Sequence, residues 1–142
     1  MKKTIAFTLI FFAICFLLSK YMPDIIFEHN KPLRIDAENK VILFQNRYNN
    51  AEVDVIYNES CDYFQQTTAR DEFSSIMNGK KKILGNFEKS ILHYSNIINS
   101  DLVILRYRSI YEHYSLIDEF TYKKIKGRIY VCKAFTLMTL EK

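Results

Sequence analysis

The fold is decided by three stretches in the second half of the chain: LVILRYRSIY at residues 102–111, SLIDEFTYKKI at residues 115–125 and RIYVCKAFTLMTL at residues 128–140. Each stretch is rich in β-branched and aromatic residues, which favour strands. Two short polar connectors separate them, one around Glu112 and one around Gly127, and connectors of this length join antiparallel neighbours. We therefore predict that the stretches form an antiparallel meander.

The residues before these strands show helical spacing. Ala37, Val41, Phe44 and Tyr48 recur at intervals of four, three and four residues, so they form one apolar stripe. Asp36 stands directly before this stripe and is a favoured N-cap residue. The pattern predicts a helix that begins after Asp36 and ends near Asn49.

Two further helices are predicted before the sheet. The first is short and carries an apolar pattern made by Val53, Ile56, Tyr57, Cys61 and Phe64. Thr68 and Asp71 have capping-box spacing and predict the start of the next helix. That helix either ends at Asn78 and Gly79 or continues through Gly79.

The order of the elements gives the fold class. Residues 87–98 are predicted to form a fourth strand, so the helices come first and all the strands follow. This order is typical of an α+β fold. We expect an N-terminal leader helix and then about three helices packed on a curved, four-stranded antiparallel sheet.

The first residues have the layout of an export signal. Lys2 and Lys3 precede fifteen uncharged residues, TIAFTLIFFAICFLL at positions 4–18. As a helix this run would measure about 22 Å, which is shorter than a hydrocarbon core of about 30 Å. A cleaved signal is therefore favoured, with an uncleaved anchor as the alternative. In either case we expect the following domain to lie outside the cytoplasm, in the periplasm or anchored to the inner membrane.

These boundaries predict a signal peptide or signal anchor at residues 1–19, a linker at residues 20–35 and one domain at residues 36–142. A chain of this length has room for one compact domain. Hydrophobic residues make up 49% of the sequence and charged residues 25%, so it can bury a core. Basic runs occur at residues 80–82 and 123–126, but acidic residues are interspersed throughout and there is no nucleic-acid motif, so we expect no nucleic-acid partner.

The three cysteines have different expected roles. Cys15 lies inside the leader, and Ile14 stands where a lipid-modified cysteine would require a small residue. Cys61 and Cys132 are either partners in one disulfide, as an oxidising compartment allows, or two small buried apolar residues.

No metal or cofactor site is predicted. Neither Cys61 nor Cys132 has a second ligand at metal-binding spacing. The three histidines, His29, His93 and His113, are scattered along the chain. Three isolated glycines cannot form a glycine-rich phosphate loop.

Particular residues accompany the order of helices and strands between residues 37 and 136. They are Tyr57, Phe64, Phe73, Leu84, Gly85, Tyr107, Tyr111, Glu119 and Phe120. In this combination the chain resembles the nuclear transport factor two-like superfamily, and more closely a group of small exported bacterial domains of unknown function. The resemblance implies a cone-shaped α+β fold, in which a curved sheet wraps around helices and leaves a pocket.

The same resemblance implies where a ligand or a substrate would bind. The expected lining of the pocket consists of Tyr57, Phe64, Phe73, Tyr107 and Phe120. The superfamily includes isomerases, dehydratases and members that only bind, so the fold alone implies no reaction.

Asp118 is the candidate catalytic residue, because strand alternation places it on the same face as Phe120. Tyr57, Tyr63 or Tyr107 would donate hydrogen bonds to its carboxylate. The alternative is that Asp118 has no catalytic role and is an ordinary strand residue, since either Asp118 or Glu119 must face water.

We expect a non-catalytic envelope domain that binds a protein partner, or associates with itself as a homodimer, through its sheet face. An accessory or immunity-type role is one version of this hypothesis. The motive is a sheet rich in tyrosine without a convincing catalytic group: Tyr107, Tyr111, Tyr114, Tyr122 and Tyr130. The alternatives are a lipid or another small molecule held in the cone, and then an isomerase-like enzyme. Residues 4–18 would contact the membrane if the leader is not cleaved.

Overall fold

The computed structural model describes the backbone of residues 30–141 and the side chains of residues 30–134. The chain divides into two units, Met1–Pro32 and Leu33–Lys142, and the second contains the sheet and the core. The predicted leader with Cys15, and residues 20–29 of the predicted linker, lie outside the described residues.

The described chain contains four helices followed by four strands. The helices are α1 at residues 30–49, α2 at Val53–Asn58, α3 at Asp62–Thr67 and α4 at Arg70–Leu84. The strands are β1 at Phe87–Ile98, β2 at Leu102–Tyr111, β3 at Ser115–Ile125 and β4 at Arg128–Glu141. They form one sheet in the order β1-β2-β3-β4, and each neighbouring pair is antiparallel. The predicted α+β class and the predicted meander are confirmed.

The predicted start of the first helix was wrong. Residues 30–35 are already helical, so Asp36 lies inside α1 and does not cap it. Leu33 is buried one turn before Ala37 and extends the apolar stripe towards the N-terminus. The last residues of the predicted linker therefore belong to a helix that packs in the core.

The second predicted helix is two helices. The chain leaves helical geometry between α2 and α3, where Ser60 forms a parallel bridge with Val131. The backbone N–H of Cys61 donates to the carbonyl of Val131 at 2.9 Å. Pairing with β4 therefore interrupts a pattern that looked continuous in the sequence.

The predicted capping box before the last helix was also wrong. Ala69 is the N-cap of α4, and no side chain of the described residues caps this helix end. Of the two alternatives for Gly79, the continuous one is correct, because α4 runs on to Leu84. Gly85 ends the helix with a φ of 78°, which residues with a side chain rarely adopt.

One face of β2 and β3 forms the floor of the core. Every second residue is buried on both strands, from Val103 to Tyr111 and from Leu116 to Tyr122. The stripe of α1 lies on this face. Phe44 meets Phe120 edge to face with ring centroids 5.2 Å apart, and Tyr48 meets Tyr111 in the same way at 5.6 Å.

A second aromatic cluster joins the three shorter helices. Tyr57 of α2, Phe64 of α3 and Phe73 of α4 have ring centroids between 5.5 and 6.2 Å apart. The hydroxyl of Tyr57 donates to the carbonyl of Thr68 at 2.8 Å, directly before α4. The rings therefore fix α2 and α3 against α4.

Gly79, inside α4, and Gly85, at its end, lead to opposite predictions for the effect of alanine on stability. A methyl group at Gly79 would meet no atom of the described chain within 4 Å, so Gly79→Ala should stabilise the protein by about 0.5–1 kcal/mol through higher helix propensity. A methyl group at Gly85 would collide with the side chain of Glu112 and would force a positive φ on alanine. We expect Gly85→Ala to cost about 1–3 kcal/mol.

Urea unfolding of the two variants and the wild type checks this pair. Equal effects of the two substitutions would show that the backbone at Gly85 does not need glycine.

Candidate functional site

Asp118 lies at the centre of the helix-facing side of the sheet. Only 1% of its surface is exposed, and its neighbours on this face of β3, Leu116 and Phe120, are buried with it. Glu119 points to the opposite face, where it pairs with Arg106 across the β2–β3 ladder. The sequence left open whether Asp118 faces the core or water, and in the structure it faces the core.

Two side chains donate hydrogen bonds to this carboxylate. Lys80 of α4 donates from Nζ to Oδ1 of Asp118 at 2.9 Å, and Tyr111 donates its hydroxyl to Oδ2 at 2.6 Å. The ammonium group of Lys80 also lies 5.0 Å from the ring centroid of Tyr111 and 5.7 Å from that of Tyr48. The elements that meet here are thus joined by charge, by hydrogen bonds and by cation–π contacts.

The tyrosines around Asp118 are held in the neutral form. Burial, and then the negative charge of Asp118, raise the pKa of the Tyr111 hydroxyl far above its ordinary value. Burial is also the first cause that raises the pKa of Tyr48 to about 12, followed by the charges of Asp118 and Glu112. Both phenols are therefore protonated at neutral pH, and the hydroxyl of Tyr48 donates to the carbonyl of Gly85 at 3.0 Å.

The hydrogen-bond donors differ from those expected. The hydroxyl of Tyr57 donates to Gln65 and Thr68, and Tyr63 is 70% exposed. Tyr107 lies opposite Asp118 in the strand register, on the same face. A signal for Lys80 was present in the sequence, because Lys80 continues the buried positions Phe73 and Met77 at helical spacing.

The five residues expected to line a pocket belong to the core. Three of them form the aromatic cluster of the short helices, and the other two, Tyr107 and Phe120, pack edge to face at 6.2 Å. A small pocket lies elsewhere, between α1, α2 and β4. Its lining consists of Lys40, Leu43, Phe44, Arg47, Ile56, Glu59, Tyr122, Ile129 and Val131.

This pocket is small, with a cavity volume of about 20 Å³. That is roughly the space for one water molecule. At its rim, Arg47 donates to Glu59 with both terminal nitrogens, and Lys40 lies 3.9 Å from the same carboxylate. Asp118 is not among the lining residues.

Chemically, the Asp118 cluster acts as a buried ion pair. Both carboxylate oxygens already accept hydrogen bonds from the protein, and Lys80 compensates the charge. Acting as a general base would require a substrate within hydrogen-bond distance of the carboxylate. The arrangement instead supplies what a buried charge requires, namely a paired cation and satisfied hydrogen bonds.

Cys61 and Cys132 are bonded to each other, with their Cα atoms 5.1 Å apart. The bond links the start of α3 to β4. Within the described residues, no group of three histidine, cysteine or acidic side chains is arranged to hold a metal ion.

The opposite side of the sheet carries exposed apolar side chains. We call the side chains of β1–β3 that point away from α1 the outer sheet face. Five cross-strand rows make it up: Lys89, Ile110 and Ser115; Ile91, Arg108 and Ile117; Tyr94, Arg106 and Glu119; Asn96, Ile104 and Thr121; Ile98, Leu102 and Lys123.

The first strand exposes the most of this face. Ile91 is 62% exposed and Tyr94 is 42% exposed, and Ile98 is exposed on the same face beyond Asn96. The guanidinium of Arg106 lies 5.2 Å from the ring centroid of Tyr94. Because β1 is an edge strand, its outer backbone groups also lack a neighbour among the four described strands.

The tyrosines that were expected on a binding surface are mostly elsewhere. Tyr107, Tyr111 and Tyr122 are buried under the helices, and Tyr114 packs against the core. Sequence reasoning missed Tyr94, although it alternates with its neighbours in a predicted strand.

Comparison with models of protein families gives no match, and comparison with curated proteins finds no similar sequence. Among the described helices, none is both long enough and apolar enough to cross a membrane.

The buried ion pair predicts a strong coupling between its two residues. Lys80→Met and Asp118→Leu should each cost about 3–5 kcal/mol, because each removes one partner of a largely buried ion pair, whereas the double variant should recover most of the loss. The exposed pair of Arg106 and Glu119 is the matched control, with an expected coupling below about 1 kcal/mol. Double-mutant cycles from denaturant unfolding measure both couplings. Additive losses at Lys80 and Asp118 would contradict the assignment.

Alkaline pH should weaken the fold through buried tyrosines. Burial, and then the charge of Glu38, raise the pKa of Tyr107 to about 12, whereas an unfolded tyrosine titrates near about 10. The folded state favours the neutral phenol, so this contribution is complete below about pH 10 and is lost as the pH rises to about 12.

The free energy of unfolding should fall between about pH 10 and pH 12 in both proteins. We expect the fall to be about 1–2 kcal/mol smaller in Tyr107→Phe than in the wild type, because the variant has no phenol at this position to ionise. Tyr63→Phe, at an exposed position, is the control and should follow the wild type. The measurement is chemical unfolding across this pH range. Parallel curves for the wild type and Tyr107→Phe would argue against a buried phenol at this site.

Proposed function

We propose that this chain is a non-catalytic envelope domain that binds a protein partner through its outer sheet face. The observation that carries this proposal is the exposure of three apolar side chains on one face of an edge strand, Ile91, Tyr94 and Ile98, with Asn96 between the last two. Exposed apolar side chains along an edge strand are typical of surfaces that are covered in an assembly.

The chemistry of the face indicates the kind of partner. Isoleucine and tyrosine supply apolar contact area, and Arg106 is both paired with Glu119 and stacked on Tyr94, so its side chain is held in one orientation. Lys89 and Lys123 lie on the same face, which is therefore more basic than acidic. A partner with acidic residues around an apolar centre complements this pattern better than a second copy does.

A location outside the cytoplasm belongs to the proposal. The charged and apolar layout of residues 1–19 supports export, and the bond between Cys61 and Cys132 is of a kind that persists in oxidising compartments. We also propose that the α+β domain has the cone shape that the sequence resemblance implies. An accessory or immunity-type role would follow from the identity of the partner.

A second candidate function, binding of a small molecule, has one observation in its favour. Tyr122 lines the small pocket, and its buried hydroxyl has no hydrogen-bond partner among the described residues. The small volume of the pocket and the packed positions of Phe64 and Phe120 make this candidate weaker. Native mass spectrometry of the purified protein would reveal a ligand that stays bound.

Substitution on the outer sheet face should remove partner binding without unfolding the domain. Ile91→Lys places a charge at the most exposed apolar position of the outer sheet face, and we expect capture of the partner to fall at least about tenfold. Ile83→Lys is the matched control, because Ile83 is 63% exposed, about as much as Ile91, but lies on α4.

The assay is in-cell crosslinking of the epitope-tagged full-length chain, followed by mass spectrometry of the captured proteins. Capture of one specific protein by the wild type and by Ile83→Lys, but not by Ile91→Lys, supports the proposal. Equal capture by both variants contradicts it. If only the chain itself is recovered, the proposal of a different protein as partner is wrong and the face mediates self-association.

A further inference from the structure

Helices α2 and α3, residues 53–67, form an arm between α4 and the edge of the sheet. On the α4 side the arm is held by the rings of Tyr57, Phe64 and Phe73, and by Arg70, which pairs with Asp54. The guanidinium of Arg70 also makes a cation–π contact with Tyr57, 4.8 Å from its ring centroid. The arm is thus firmly attached to α4.

On the β4 side the attachment is different in kind. The short bridge of Ser60 to Val131, with the hydrogen bond from Cys61 to Val131, lies directly beside the Cys61–Cys132 disulfide. Arg47 donates to Glu59 with both terminal nitrogens, but Arg47 lies on α1, so this ion pair holds the end of α2 to α1 and not to β4. The covalent bond is the strongest link between the arm and β4.

The small pocket lies beneath this link. Ile56 and Glu59 of the arm form one wall, and Ile129 and Val131 of β4 form the other. The disulfide joins the two walls close to the pocket lining, since Cys132 directly follows Val131 in the chain. The buried Tyr122 lines the space between them.

We infer that the Cys61–Cys132 disulfide is a redox clasp that holds the arm against β4 and keeps this pocket closed. A dithiol reductant gives two electrons and two protons to the bond, so Cys61 and Cys132 become thiols and the reductant becomes a disulfide. The arm then swings on its aromatic attachment to α4, and the buried side chain of Tyr122 becomes accessible. Exchange with a disulfide oxidant, which takes up two electrons and two protons and becomes a dithiol, re-forms the bond and restores the closed form.

The two cysteine residues differ in exposure, which provides the test. Cys61 is 2% exposed, whereas Cys132 is partly exposed, so a reductant reaches the bond from the side of Cys132. If the arm stayed closed after reduction, Cys61 would remain buried and would react much more slowly than Cys132. If the clasp opens, the two thiols react at similar rates.

The experiment uses the full-length chain with Cys15→Ser, reduced with dithiothreitol and pulsed with iodoacetamide, and mass spectrometry reads each cysteine separately. We expect the labelling rates of Cys61 and Cys132 to agree within about tenfold. Hydrogen exchange in the same samples should rise at least about tenfold in residues 53–67, while β1 and β2 keep their protection.

A double variant, Cys61→Ser with Cys132→Ser, separates the clasp from general effects of the reductant. Its arm should exchange as fast without dithiothreitol as the reduced wild type does, and should not respond to it. Slow labelling of Cys61 after reduction, or equal loss of protection in the arm and in β1 and β2, would overturn the inference. The inference concerns the disulfide and the arm, so it stands or falls independently of the outer sheet face.

Discussion

Every second side chain of β2 and β3 is buried on one face, and the packing of helices α1 and α4 depends on this alternation. The face offers Leu105, Tyr107 and Phe120 to α1, whose stripe fills it with aromatic edge-to-face contacts. Because a strand has a period of two, a shift by one residue would turn all these side chains towards the outer face. The register of the two central strands therefore determines where both the core and the buried Asp118 lie.

The strands could be predicted from the sequence because each is a long β-prone run bounded by turn residues. Lys126 and Gly127 both adopt positive φ, as a tight two-residue hairpin requires. The helix boundaries were less predictable. Asp36 and Thr68 have the chemistry of caps, but burial of Leu33 extends α1 and pairing of Ser60 with β4 divides the next helix, and such contacts between distant residues leave no local pattern.

The site was predicted in part for a similar reason. Strand parity correctly placed Asp118 with Phe120, since parity is a property of one strand. The cation that compensates it comes from another element, and only the combination of Lys80 on an apolar helical stripe with Asp118 on an apolar strand face hints at their pairing. The residues expected to line a pocket are large side chains of the core or packed against it, and their rings contact each other.

The order of the elements has a consequence for how the chain matures. All the described helices precede all the described strands, so the ribosome releases α1 before the sheet that covers its stripe of Val41, Phe44 and Tyr48 has been made. The strands are joined to their neighbours by short turns and can zip together in sequence once they emerge. Until then the helical half presents its aromatic residues to whatever chaperone meets the nascent chain, and the last strand to appear is the one that carries Cys132.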